Sequence, residues 1–272
     1  MGKRDARPWV VSDELWSLIE PLLPGPGPKL VAGRPRVPDR QAMCGILFVL
    51  HTGIQWEYLP QELGFGSGMT CWRRLAAWNE AGVWDQLHAV LLTKLRVAKQ
   101  LDWSRAVIDS SHVRAGSTTP KSGPSPVGRA RPGSKHHVLA DGQGIPLAVS
   151  LTGGNRNDVT QLMPLLAKVP SVPGLAGRPR RRPDTLLGDR GYDHDKYRRL
   201  VWAQGIKPVI ARRGILHGSG LGVHRWVVEH TNAWLHGFRR LRIRWERRDD
   251  IHEAFLGLAT CLITHRHVQR LC

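Results

Sequence analysis

The stretch 184–195, reading DTLLGDRGYDHD, limits the possible folds more than any other part of the chain. Residues 185–187 form an apolar run that is too short for a helix, which predicts a buried strand. Asp189 follows this strand, and Gly191 favours a sharp turn into a following helix. Open α/β sheets place their chemistry at the carboxyl ends of strands. Asp189 is therefore either a functional carboxylate or a residue that only caps the turn.

The charge of the chain points to a polyanionic partner. Lys and Arg number 40 among the 272 residues, against 22 Asp and Glu, which gives a net charge of +18. The excess is uneven: residues 1–100 carry 12 basic and 9 acidic side chains, and residues 101–272 carry 28 and 13. A pI near 10.9 exceeds what solubility requires, whereas neutralising phosphates releases counterions and favours nucleic-acid binding.

The cysteines and the apolar runs exclude several classes of protein. The four cysteines include no C-x-x-C pair, which argues against a disulfide framework and a zinc site. No apolar run reaches the length of a bilayer span, and no signal-peptide pattern is present. The expected location is therefore a reducing cytoplasm, without contact to a membrane.

Helical spacing dominates residues 1–100. Ser12 is a candidate N-cap for the first helix, and Pro38 opens a second helix that ends at Gly53. Segments 70–78 and 83–97 continue the pattern, and the first of them carries the adjacent pair Arg73 and Arg74. Short helices joined by Gly turns indicate an N-terminal all-helical domain over residues 1–100 that resembles a helix-turn-helix module. A plain helical bundle with a solvated Arg pair is the alternative.

Strand patterns begin after residue 100. A strand over 105–108 ends at Asp109, and residues 115–134 predict a long mobile loop. Two further strands, 135–140 and 145–151, are joined by DGQG, which is a strong hairpin signal. Further segments, listed in order, are a helix at 155–166, the strand at 185–187, a helix at 195–204 and a strand at 207–210. This order predicts an α/β domain with a mixed sheet over residues 101–272.

The last long helix begins near Val223 and carries one acid, Glu229. Taken alone, Glu229 and Arg225 are an ordinary solvated pair one turn apart. Taken with Asp109 and Asp189, Glu229 completes a set of three carboxylates that can hold two hard divalent ions. Two such ions activate a nucleophile and stabilise the leaving oxygen in phosphodiester chemistry. Glu246 is a weaker candidate for the third acid, because it lies in the Arg-rich segment RIRWERRDD.

Seven long stretches carry a close resemblance to a known family: GRPRVPDRQAMCGILFVLHTGIQWEYLP, CWRRLAAWNEAGVW, AVIDSSHVRA, GSKHHVLADGQGIPLAVSLTGGNRND, LLGDRGYD, VHRWVVEHTNAWLHGFRRLRIRWERR and IHEAFLGLATCLI. They cover nearly the whole chain, which resembles the DDE transposases of bacterial insertion sequences, specifically the insertion-sequence-five group. The resemblance implies a ribonuclease-H-like catalytic core behind a helical DNA-binding domain. It also implies that Asp109, Asp189 and Glu229 bind two Mg²⁺ ions, for which Mn²⁺ substitutes.

The expected partners are the terminal inverted repeats of the element and target DNA, bound by a homodimer or a larger synaptic assembly. After cleavage at the end of the element, the freed 3′-hydroxyl attacks the target. The basic residues expected to contact DNA are Arg34, Arg36, Arg73, Arg74, Lys135, Arg190, Arg225, Arg239, Arg240 and Arg244.

Two positions depart from the family pattern. Relatives carry a Lys seven residues after the catalytic Glu, and His236 occupies that position here. Arg239 or Arg240 can supply the phosphate contact in its place. The family's Tyr three residues before the helical Arg is replaced by Gly222.

Three other functions compete with this interpretation. A recombinase acting through a covalent Tyr or Ser would use one of three tyrosines, of which Tyr192 is nearest to Asp189 in sequence. A DNA-binding relic of a transposase would have the same fold and no activity. A ribonuclease-H-like nuclease or resolvase would cleave without joining the 3′-hydroxyl to target DNA.

Overall fold

The computed structural model of the protein describes residues 7–25, 35–214 and 222–271, with side chains from Trp226 onward in the last range. Four N-terminal helices are α1 (Asp13–Ile19), α2 (Asp39–Thr52), α3 (Gly68–Glu80) and α4 (Val83–Val97). The Ser12 hydroxyl accepts the Leu15 N–H, and Gly53 ends α2 with a φ of 77°, as predicted. No helix within the described ranges is both long enough and apolar enough to cross a membrane.

The connections between these helices differ in length. Residues 53–67, which include two short 3₁₀ turns, join α2 to α3. Only Ala81 and Gly82 join α3 to α4, and Gly82 has a φ of 70° that favours glycine. The tight turn therefore lies after the Arg73 and Arg74 pair, and α3 keeps Arg73 exposed.

A mixed sheet forms the centre of the molecule. Its strands are β1 (Ala106–Ala115), β2 (Gly123–Pro124), β3 (Pro132–Asp141), β4 (Pro146–Gly153), β5 (Thr185–Gly188), β6 (Lys207–Ile210) and β7 (Ile243–Arg244). Pairing runs β4-β3-β1-β5-β6, with β3 antiparallel to β1 and β4, and with β5 and β6 parallel to β1. Three antiparallel strands followed by parallel ones confirm the predicted mixed sheet.

Five helices complete the fold: α5 (Leu162–Lys168), α6 (Asp195–Ala203), α7 (Gly222–Gly237), α8 (Arg239–Arg242) and α9 (Asp249–Gln269). Helix α9 contacts α3, α4 and β4, so that it lies between the N-terminal helices and the sheet. Buried apolar residues of both regions belong to one continuous hydrophobic core. The helical region is consequently packed onto the sheet, with no gap in packing near residue 100.

Two sequence predictions about this region were wrong. Strand β1 does not end at Asp109 but continues to Ala115. The loop predicted over 115–134 likewise contains β2 and the start of β3. The second half of β1 is polar, so it contains no apolar run that would predict a strand. Backbone pairing with β3 stabilises it. The predicted helix at 155–166 is a 3₁₀ turn over Asp158–Gln161 followed by α5.

Candidate active site

Backbone pairing brings the two strand aspartates together. In the parallel pair of β1 and β5, Ala106 lies opposite Leu186 and Val107 opposite Leu187. Continuing this register by two residues places Asp109 beside Asp189. Both side chains are partly buried, and β5 ends immediately before Asp189 whereas β1 continues. Two carboxylates therefore lie on neighbouring parallel strands, at the point where one strand stops.

Helix α7 lies across β1 at this point. Nδ2 of Asn232 donates a hydrogen bond of 3.0 Å to Oδ2 of Asp109, and Nε2 of His236 lies 3.3 Å from Oγ of Ser111. The Thr231 hydroxyl donates to the Gly144 carbonyl oxygen at 2.7 Å, which fixes the helix to the β3–β4 turn. Glu229 is exposed and precedes Asn232 by about one helical turn. The helix that carries the third acid is thus docked beside the first.

Helix α7 buries a polar side chain together with its apolar ones. Val227 and Phe238 are buried, and Asn232, which lies at helical spacing from the exposed Glu229, is buried as well. The reason is that the contact surface of α7 includes the polar side of β1, where Asp109 and Ser111 accept or share hydrogen bonds.

The turn after β5 combines both roles considered for Asp189. Its Oδ1 accepts the Gly191 N–H at 2.8 Å and so caps the 3₁₀ turn Arg190–Tyr192. A β-carbon placed on Gly191 would lie 2.9 Å from this oxygen, closer than side chains tolerate. A carboxylate has two oxygens, so Asp189 can cap the turn and also act as a functional carboxylate. The absence of a side chain at Gly191 makes the turn possible.

Tyr192 is buried beneath this turn and is 1% exposed. Burial, and then the charges of Asp158, Asp109 and Asp189, raise the pKa of the Tyr192 phenol well above its usual range. A buried phenol that resists ionisation is a poor nucleophile toward DNA. This environment argues against the covalent recombinase.

The donor set suits hard cations. Within the described ranges, no three His, Cys, Asp or Glu side chains stand close enough together to hold a metal ion as the structure stands. Asp109 and Asp189 nevertheless offer oxygen ligands at one place, and buried Oδ1 of Asn232 has no hydrogen-bond partner among the described residues. Oxygen donors of this kind match Mg²⁺ and Mn²⁺ and not zinc.

Four of the expected DNA contacts are exposed basic side chains: Arg36, Arg73, Arg190 and Arg239. Arg36 also forms an ion pair of 3.1 Å with Asp39. Arg34 and the side chain of Arg225 lie outside the described residues.

The other expected DNA contacts serve internal packing. Lys135 is 5% exposed, Arg240 4% and Arg244 1%. Lys135 donates to Asp158, Arg240 to Glu246, and Arg244 to the Ser134 hydroxyl and the Pro120 carbonyl oxygen. Arg74 pairs with Asp39 and is mostly buried. Their hydrogen bonds are made inside the protein, so we reassign these four residues from DNA contacts to structural ones.

Two residues of the site were missed as functional candidates. Asn232 follows Glu229 by three residues, so helical spacing places it on the same face, and this spacing was the available signal. Asp158 is the last residue of the family stretch that ends in GGNRND, which was the available signal, and the fold brings it near Asp189. Glu246, the weaker candidate for the third acid, is buried against Arg240 and Trp56 and lies away from Asp109.

In comparisons with known proteins, the helical region and the region that contains the sheet match two different family models. A family described as a transposase DDE domain matches residues 103–264, and a putative transposase family of the IS4/5 type matches residues 11–88. The putative transposase for insertion sequence element IS402 of Burkholderia cepacia is 59% identical over 151 residues, which are 56% of this chain and 72% of that protein. An uncharacterized 16.2 kDa protein of the same insertion element and organism is 56% identical over 119 residues, which are 43% of this chain and 81% of that protein.

One solved structure is a more distant match. The Mos1 strand transfer complex shares 12% identity at a TM-score of 0.35, covering 90% of this chain and 79% of that one.

Proposed function

The chain belongs to the family of transposases that carry a DDE domain, and on that premise we propose that Asp109, Asp189 and Glu229 are the acids of its active site. The protein is a transposase, which cleaves DNA at the ends of an insertion sequence and joins them to a target. The observation that carries the assignment is the parallel register of β1 with β5, which leads to Asp109 within β1 and to Asp189 directly after β5, together with the hydrogen bond from Asn232 of α7 to Asp109. Glu229 stands on the same helix, one turn away.

The DDE domain implies a divalent metal, and we propose two Mg²⁺ ions held by the three acids, with Mn²⁺ as a substitute. Bound divalent ions supply Lewis-acid activation of the attacking oxygen and stabilise the leaving oxygen. Asn232 holds one oxygen of Asp109 in place by donating a hydrogen bond to it. The Gly191 N–H holds Asp189 in the same way. These contacts fix the carboxylates before substrate arrives, which avoids reorganisation during the reaction.

His236 takes the place of the family's Lys. Burial, and then Arg242, lower the pKa of His236, so it is neutral at pH 7 and offers a hydrogen bond without a charge. Its contact with Ser111 holds α7 on β1. The phosphate contact of the missing Lys passes to Arg239, because Arg240 is buried.

We place DNA along the exposed basic residues. Arg190 follows Asp189 directly and lies at the site, whereas Arg73 on α3 and Arg36 lie in the helical region. Residues 1–100 are proposed to bind the inverted repeats and residues 101–272 to perform the chemistry. We further propose a dimer or larger assembly that holds both ends together, acting on DNA of the bacterial nucleoid.

The test compares the wild type with four variants on labelled duplex that carries the element's own end, in the presence of Mg²⁺ or Mn²⁺. Asp109→Asn, Asp189→Asn and Glu229→Gln each keep the shape of the side chain and remove its charge. The matched control is Asp184→Asn, an exposed acid at the other end of β5 that pairs with Arg180. We expect the wild type and the control to nick the end and join it to target DNA, and the other variants to bind without cleavage.

Two of the alternative functions, the DNA-binding relic and the nuclease, have their own outcomes in the same experiment. Binding without cleavage by the wild type would identify a DNA-binding relic, and cleavage without joined products would identify a nuclease. Cleavage by Asp189→Asn at the wild-type rate would overturn the assignment of the acids.

A further inference from the structure

Lys135 occupies an unusual environment for a lysine. It lies on β3 opposite His112 and is 5% exposed. Its ammonium group donates to Oδ1 of Asp158 and to the Arg156 carbonyl oxygen, both at 2.8 Å. Buried charges are rare in proteins unless they are paired, because removal from water is costly. Asp158, whose side chain is 27% exposed, supplies the negative charge that pairs with the buried ammonium group of Lys135.

Asp158 connects this ion pair to the active site. A β-carbon placed on Gly191 would lie 2.9 Å from Oδ1 of Asp189 and 4.0 Å from Oδ2 of Asp158. The two carboxylate oxygens are therefore at most about 7 Å apart. The 3₁₀ turn that begins at Asp158 also contacts the turn Arg190–Tyr192. One oxygen of Asp158 faces Lys135, and the other lies on the side of Asp189.

The surroundings leave Lys135 as the cation that balances Asp158. The imidazole of His137 lies with Nδ1 4.0 Å from Oδ1 of Asp158, and this nitrogen has no hydrogen-bond partner among the described residues. Burial lowers the pKa of His137 to about 4, so this neighbour is uncharged at pH 7. His112 faces the pair from β1, and burial, and then the charge of Lys135, lower the pKa of His112 as well, so Lys135 is the cation in hydrogen-bond contact with Asp158.

We propose that Lys135 and Asp158 are positioning residues that set the charge of the metal site from behind the Asp189 turn. Asp158 supports the turn, and Lys135 cancels its charge, so that cations respond to the three proposed catalytic acids alone. This inference rests on the proposed function, and it gives Lys135 a role at the metal site in place of the expected contact with DNA.

The proposal predicts changes of opposite sign in metal affinity. Asp158→Asn leaves an uncompensated ammonium behind Asp189, so Mn²⁺ binding weakens by about tenfold or more, given the strength of charge interactions over such distances. Lys135→Met leaves an uncompensated carboxylate, so Mn²⁺ binding tightens by a similar factor at pH 8. The double variant restores neutrality and returns the affinity to within about twofold of the wild type.

The experiment measures Mn²⁺ affinity of the full chain by electron paramagnetic resonance of the free ion, with thermal unfolding recorded for every variant. A merely structural role would weaken binding in both single variants, and the double variant would be no better than either. That pattern, or unchanged affinity in both, would overturn the inference. If Lys135→Met does not fold, Lys135→Gln, whose side-chain amide can still donate to Asp158, replaces it, because Asp158→Asn weakens binding under either role. Tighter Mn²⁺ binding is again expected.

Asp189→Asn separates this inference from the proposed function. Loss of Mn²⁺ binding in Asp189→Asn supports the site, whatever the ion pair does. Binding that survives in Asp189→Asn would instead overturn the site, and the role of the ion pair with it.

Discussion

Replacement of Arg240 by Met tests the reassignment of that residue from DNA contact to structural support. Nε of Arg240 donates to Oε1 of Glu246 at 3.1 Å, and Nη1 donates to the Ile54 carbonyl oxygen at 2.8 Å and to that of Gly53 at 3.3 Å. Glu246 also accepts the indole N–H of Trp56 at 3.2 Å. One buried guanidinium thus joins α8 to the chain that leaves α2.

The expected cost of Arg240→Met is large. Breaking a buried ion pair by removing one partner costs roughly 3–5 kcal/mol of unfolding free energy, since a buried charge is left without compensation. For a chain of this size the melting temperature should fall by on the order of 10 °C. Urea unfolding followed by tryptophan fluorescence measures the loss. Adding Glu246→Gln removes the orphaned charge, keeps an acceptor for Trp56 and should recover much of the stability.

The neighbouring residue supplies the control. Arg239 is exposed, so Arg239→Met should leave the unfolding free energy within about 0.5 kcal/mol of the wild type. It should instead weaken DNA binding and reduce the dependence of log K on log salt by about one unit. If Arg240→Met cost less than about 1 kcal/mol, or if Arg239→Met were the destabilising change, the burial argument for this pair of arginines would be refuted.

Three further results are expected. Gly191→Ala should slow end cleavage by on the order of tenfold to a hundredfold, as judged by single-turnover rates, because the new β-carbon displaces the Asp189 carboxylate. The unfolding free energy should fall as the pH drops from 6.5 to about 4, because burial lowers the pKa of His88 and His137 to about 4 and only their unfolded forms take up protons in this range. Burial raises the pKa of Asp141 to about 6, so this single group opposes the trend. An unfolding free energy that stays constant across this range would contradict the prediction. A chelator should abolish cleavage while gel-shift binding to the end persists, and cleavage that continued would exclude the metal site.

Much of the fold was predictable from the sequence. Helix α4 and strand β6 match their predicted bounds, because apolar spacing and glycine stops mark both clearly. The second half of β1 was missed, since Ser110, Ser111 and His112 give no apolar pattern. Its pairing with β3 is a long-range interaction that no local window contains.

The candidate site was predictable in part. Strand ends and the family motifs identified Asp109 and Asp189 as carboxylates that can meet, and the register of β1 with β5 is consistent with that. Burial was the property that sequence reasoning judged poorly. Lys135, Arg240 and Arg244 are basic residues in a strongly basic chain, and nothing local distinguishes a buried, paired cation from one that faces DNA.

Helix α9 gives the molecule a fixed geometry, since its 21 residues span about 30 Å and contact both α3 and β4. If the N-terminal helices hold the inverted repeat and the sheet holds the acids, the packing of both regions against α9 fixes the distance between recognition and cutting. The position of the cut is then set by its distance from the bound repeat, and cleavage requires no recognition of the bases at the cleaved bond.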